Sequence, residues 1–326
     1  MPEVFTFTSG VLTSAVVFIS ITAIGGMWSA SLCNILNVSL KYIGIILATI
    51  FSINHAGGIE SIKIQLPANV PYLDLFAGVG LLGILSWIIV LVTVNLSLQS
   101  IIQISLGAKD VQTARRGFII GGLMMLPIGF VSAMMGVIAK TMFPDVSPAM
   151  ALPMTIMSLN PILAGITLAA LWAADVSTAC SLLLSSATLF SQDIYKKFIN
   201  PTVSEKHFLT ITKGSVLVLG LLTLLFAMTI SGIINTLMIG LSLTAAFSIT
   251  VLFTLFAPSL CRKSSAFFTI MTGLAVLILW QTVPTVRIFP HVIYLEWLAC
   301  LSAFLLTYLF DQTPISSLQS PARAKA

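Results

Sequence analysis

Nine stretches of this chain, at residues 7–24, 28–51, 73–104, 117–139, 160–191, 214–230, 233–257, 267–283 and 292–310, are almost wholly apolar. A helix needs about 20 such residues to cross the hydrocarbon core of a bilayer. A backbone in lipid must satisfy its own hydrogen bonds, and a helix does so within one segment. The pattern therefore predicts an all-α polytopic membrane protein with about nine transmembrane helices. Charge agrees with this: 8% of the 326 residues are charged and mean hydropathy is +1.08, against roughly 25% charge in a soluble domain.

The basic residues sort by side. One alternating set of loops holds Lys109, Arg115 and Arg116, then Lys196, Lys197, Lys206 and Lys213, then Arg262 and Lys263, then Arg323 and Lys325. The other set holds Lys63, Lys140 and Arg287. Lys and Arg favour the cytoplasmic side, so the C-terminus is expected inside and, with an odd number of spans, the N-terminus outside. The start, MPEVFTFTSG, lacks the basic region of a signal peptide. The expected location is an integral position in the cell membrane, with residues 1–310 as the transmembrane domain and 311–326 as a disordered cytoplasmic tail.

Several function classes are not indicated. The net charge of +5 comes from short loops between spans, which does not suggest nucleic acid. Cys33, Cys180, Cys261 and Cys300 are scattered, and His55, His207 and His291 have no ligand spacing, so neither a disulfide framework nor a metal cluster is expected. No nucleophile–base pair and no phosphate-binding loop is apparent, so an enzyme and an organic cofactor are not expected.

The stretch with the most chemistry is Asn160–Lys197, NPILAGITLAALWAADVSTACSLLLSSATLFSQDIYKK. Asn160 suits a helix cap and Pro161 its first turn. Within the apolar run lie Asp175, Ser177, Thr178, Ser181 and Ser185, and the four hydroxyls share one helical face. Such groups at bilayer depth are expected to face a cavity, a partner or an ion. The alternative use of a Ser or Thr hydroxyl is to bond back to the preceding turn or to a neighbouring helix. Ser181, Ser185 and Ser186 are expected to do that.

AADVSTACSLLLSSATLFSQDIYKK resembles the eighth core helix of the sodium:solute symporter family, whose pattern there is roughly AAxxSTxxSxLxxSSxxxxxDxY. TAIGGMWSASLCNILN resembles the family's YTxxGGLWAVxWTDVIQ between core helices four and five, and LQSIIQISLGAKDVQTARRG its QxxxQRxLAAKDxxxARRG from six to seven. The resemblance implies a LeuT-type fold of inverted repeats and Na⁺-coupled symport of a small solute. It implies a Na⁺ site from the carbonyl of Ala174 and the hydroxyls of Ser177 and Thr178. A hard cation such as Na⁺ suits oxygen ligands. The family's Asp falls on Asn34 here and its Gln on Asn37, which counts against a second sodium site. Ile104 replaces the usual Arg beside Gln103.

Lys41 shares a face with Asn34 and Asn37, and lies deep in its span. Asp175 is the other charge inside an apolar span, whereas Glu296 is expected to reach the interface. Lys41 and Asp175 are expected to pair between core helices five and eight, either coupling transport to H⁺ instead of Na⁺ or as a structural ion pair. Asn34 belongs with them. Asn95 and Gln99, on one face of the third span, and Gln103 are candidates for the solute cavity. Placed on the family's template, the spans match core helices four to ten plus two accessory helices, so core helices one to three are missing. The expectation is an N-terminally truncated symporter, or one whose missing helices come from another chain, inactive alone. The rival is a non-transporting membrane sensor or partner subunit, or one part of a split transporter.

Overall fold

A computed structural model describes residues 6–67, 70–74, 76, 78–229, 237 and 240–313, the side chains of Met27, Ser29 and Ala30 excepted. The joint between the sixth and seventh predicted spans and the predicted tail beyond Thr313 lie outside these residues. Among them, eight helices are long and apolar enough to cross a membrane, and a shorter apolar helix at Gly240–Phe256 falls in the seventh predicted span.

Helix α1 runs over Phe7–His55, with the Thr6 side chain accepting from the Ser9 amide at its start. It holds the first two predicted spans. Gly26, at φ 54° and ψ −146°, breaks its helical path, a conformation open to Gly because it lacks a Cβ. The predicted loop at 52–72 contains the short helix α2, Gly58–Gln65, entered through Gly57 at φ 84°. The third predicted span is two helices, α3 at Gly80–Ser97 and α4 at Gln99–Leu106, separated by the extended residue Leu98. Helix α5 spans Val111–Met142 and begins earlier than expected. The Asp110 carboxylate accepts from the Thr113 amide at 2.6 Å, and this cap holds Arg115 and Arg116 in the helix rather than a loop. The same bond keeps the Asp110 carboxyl below its usual range.

Residues 140–159, between the fourth and fifth predicted spans, hold helix α6, Pro148–Met157. Its prolines do not prevent it: Pro148 occupies the first turn, where an N–H is dispensable, and Pro153 gives up one bond. Helix α7, Pro161–Leu189, is capped as predicted, with Asn160 Oδ1 accepting from the Ile162 amide at 3.0 Å. It continues as a π-helix over Phe190–Ile199. Then follow α8 (Glu205–Ala227), α9 (Thr244–Phe256), α10 (Ser265–Thr282) and α11 (Val292–Phe310).

The chain forms two compact units, residues 1–72 with 103–231 and residues 73–102 with 232–326. In the first, α1 lies along α7, with α5 and α8 packed on it. Ala15, Ile19, Leu183, Ala187 and Val216 form one core cluster, and Ala48, Ile62, Met135, Ile138 and Ile156 another. Gly44 lets α1 approach α7 closely: a Cβ there would stand 3.2 Å from the Ala170 methyl.

In the second unit, α10 and α11 pair, and both pack on α9, which also meets α3. A Cβ on Gly273 would stand 2.9 Å from the Ala246 methyl and 3.3 Å from Cys300 Sγ. The first residues of the predicted tail are anchored here. The Ser264 hydroxyl and amide donate to Asp311 at 2.6 and 3.1 Å, and the Lys263 amide to the Thr313 carbonyl. The Ser264 hydroxyl holds the Asp311 carboxyl below the usual carboxylate range, helped by Thr313.

Candidate ion-binding site

The site is built on the middle of α7, in the first unit. The Ser177 hydroxyl donates to the Ala174 carbonyl at 2.8 Å, and the Thr178 hydroxyl to the same oxygen at 3.2 Å. The cause is helical geometry: side chains three and four residues on reach back over the preceding turn. The three oxygens predicted for the ion are thus gathered on one turn. Ser177 is half-buried and Thr178 exposed.

Beside this turn lies a cavity of about 140 Å³ between α1 and α7, lined among others by Ile21, Cys33, Asn37, Ser177 and Cys180. The Asn37 amide donates to the Ala173 carbonyl at 2.9 Å. It therefore fixes the backbone one residue before Ala174. Residue spacing places Asn37 on the face of Asn34 and Lys41, but nothing in the sequence reveals this bond. It depends on how α1 lies against α7. Farther along, the Thr167 hydroxyl donates to Leu163 within its helix and to the Gly44 carbonyl at 3.3 Å. Trp172 Nε1 donates to Ser14 Oγ at 2.8 Å.

The other α7 hydroxyls behave as expected. Ser181 donates to the Ser177 carbonyl, Ser185 to Ser181 and Ser186 to Leu182. Asp175 is exposed and Lys41 half-buried. Among the described residues the direct ion pair is Lys63–Glu60, 3.3 Å apart on α2, so the predicted salt bridge between Lys41 and Asp175 is not formed. Asn34 is exposed on α1.

The sodium:solute symporter family profile matches residues 5–273. The chain belongs to that family. The osmoregulated proline transporter OpuE of Bacillus subtilis is 25% identical over 284 residues, covering 83% of this chain and 56% of that protein. Sodium/proline symporter 2 of Staphylococcus saprophyticus is 26% identical over 290 residues, covering 83% and 55%. The chain thus spans about half the length of these curated relatives. A solved structure of a Na⁺-coupled sialic acid symporter in a substrate-bound outward-open state superposes with a TM-score of 0.77 at 17% identity, over 95% of this chain and 68% of that one. The chain therefore shares the fold of that structure.

The residues predicted for the solute cavity lie on α3 and α4. Asn95 is exposed on α3 and donates to its own helix at Leu91. The face predicted to join it to Gln99 is interrupted, because Leu98 between them leaves the helical path. Gln99 and Gln103, both half-buried, are instead one turn apart on α4. Asn95 and Gln99 belong to the second unit, and Gln103 to the first.

Proposed function

We propose that this chain supplies the α7 face of a Na⁺ site in a cation-coupled symporter of a small solute. The observation that carries this is the convergence of the Ser177 and Thr178 hydroxyls on the Ala174 carbonyl. Three neutral oxygens on one turn suit a hard monovalent cation. Rotating the two O–H bonds away would turn their lone pairs towards the ion while leaving the helix backbone intact. The Asn37 bond to Ala173 steadies that turn from α1. In this reading the protein sits in the cell membrane with its basic loops on the cytoplasmic side.

Sodium-dependent thermal stabilisation of the purified protein, with choline as control, tests the proposal. The wild type is expected to be stabilised by Na⁺, and Ser177→Ala or Thr178→Ala to weaken the apparent affinity by roughly tenfold each. A wild type indifferent to Na⁺ would sink the proposal.

The half-buried position of Lys41 within a membrane-spanning segment favours one second reading, coupling to H⁺. Lys41→Met decides between them in reconstituted uptake. Loss of pH-driven uptake supports H⁺ coupling, and unchanged ion dependence removes Lys41 from coupling.

A further inference from the structure

Glu296 does not reach the interface as its sequence position suggests. It is fully buried, at 0% exposure, in the stripe Ile293, Glu296, Cys300, Phe304 and Thr307 along α11. Among the described residues, neither carboxylate oxygen has a partner in hydrogen-bonding geometry. Among the described residues, α3, α9 and α10 pack against α11. Their sequences, GLLGILSWIIVLVTVNLS, TAAFSITVLFTLF and SAFFTIMTGLAVLILWQT, contain no acid, base, histidine, cysteine or tyrosine. The Ser242 hydroxyl faces Glu296 from just before α9, and the Cys300 thiol stands one turn along α11. The other titratable groups of α11 are engaged elsewhere: Tyr294 donates to the Leu82 carbonyl, and Tyr308 stacks on Arg262. His291 and Asp311 cap the helix ends.

A carboxylate buried among apolar side chains with no counter-charge beside it is strongly disfavoured, whereas the neutral acid is tolerated. We propose that Glu296 is a proton-binding site buried in the second unit, held as a carboxylic acid in the folded protein. Its ligand is the proton itself, which does here what a cationic side chain would do elsewhere. The site is separate from the α7 oxygens and does not rest on the Na⁺ reading.

Infrared spectroscopy of the full chain at neutral pH tests it, comparing wild type with Glu296→Gln. The expected result is a carboxylic-acid carbonyl band, sensitive to deuterium exchange, that disappears in the variant. Its loss should equal one carboxyl group, since Asp175 is common to both proteins. Glu296→Leu serves the same comparison if the amide prevents folding, because an apolar side chain suits a buried position without partners. An acid band unchanged in the folded variant overturns the proposal. So does a wild-type band that vanishes when Na⁺ replaces choline, which would make Glu296 a cation ligand.

Discussion

The two units satisfy their polar side chains in different ways. Along the α7 stripe of the first, Ser177, Thr178, Ser181 and Ser185 all donate to carbonyls of their own helix. The bonds between α1 and α7 among the described residues come from Asn37, Thr167, Trp172 and Cys180, outside that stripe. In the second unit, hydroxyls and an indole bridge helices. Ser248 donates to the Thr93 carbonyl at 2.7 Å, Trp297 Nε1 to the Thr93 hydroxyl at 3.2 Å, and Ser265 and Thr307 share a bond of 2.7 Å. A local bond satisfies a hydroxyl without committing it to a neighbour, so it can be exchanged for an ion. A bridging bond fixes two helices and is lost if either moves. The first arrangement suits a binding surface, the second a scaffold.

The sharpest way to break the scaffold is through Gly273. Gly273→Val pushes a side chain into Ala246, whose methyl is fixed to α9. It is expected to destabilise by about 3 kcal/mol, read as a lowered melting temperature in detergent. Gly44→Ala, against Ala170 at the looser 3.2 Å, should do less. Equal melting of Gly273→Val and wild type would refute the tight α9–α10 crossing. Next comes Thr93→Val, which keeps shape but leaves the Trp297 N–H without its acceptor. A loss of about 1 kcal/mol is expected, with a shift in Trp fluorescence as a second reading. The smallest effect belongs to Ser185→Ala, which removes a bond within one turn. It should change stability by less than about 0.5 kcal/mol. If it were as damaging as Thr93→Val, the contrast between local and bridging bonds would fail.

Much of this was legible from residue types and spacing. Long apolar runs specify helices wherever water is absent, and the Asn160–Pro161 start and the Gly25–Gly26 bend follow from local chemistry. The α7 hydroxyls were readable because a helix brings residues three and four apart together whatever surrounds it. The break at Leu98 was hidden, since neither Gly nor Pro marks it and the residues on both sides remain good helix formers. The three prolines of 140–159 concealed α6, yet Pro144 lies before the helix and Pro148 in its first turn, leaving Pro153 as the one inside it. Burial of Glu296 was invisible for a different reason. Its rotation about α11 is set by packing against α3, α9 and α10, and α3 lies far away in sequence.

The π-helix at the end of α7 adds one consequence for phase. Bonding there runs to the fifth residue instead of the fourth, so each turn holds more residues than in the α-helix before it. The line of oxygens from Ser177 to Ser185 therefore cannot be extended by steps of four to Asp193, Lys196 or Lys197. From Phe190 onward the surface is rotated relative to an uninterrupted α-helix. A one-residue deletion between Phe190 and Ile199 would bring these charges back towards the stripe that the wider turns carry them away from.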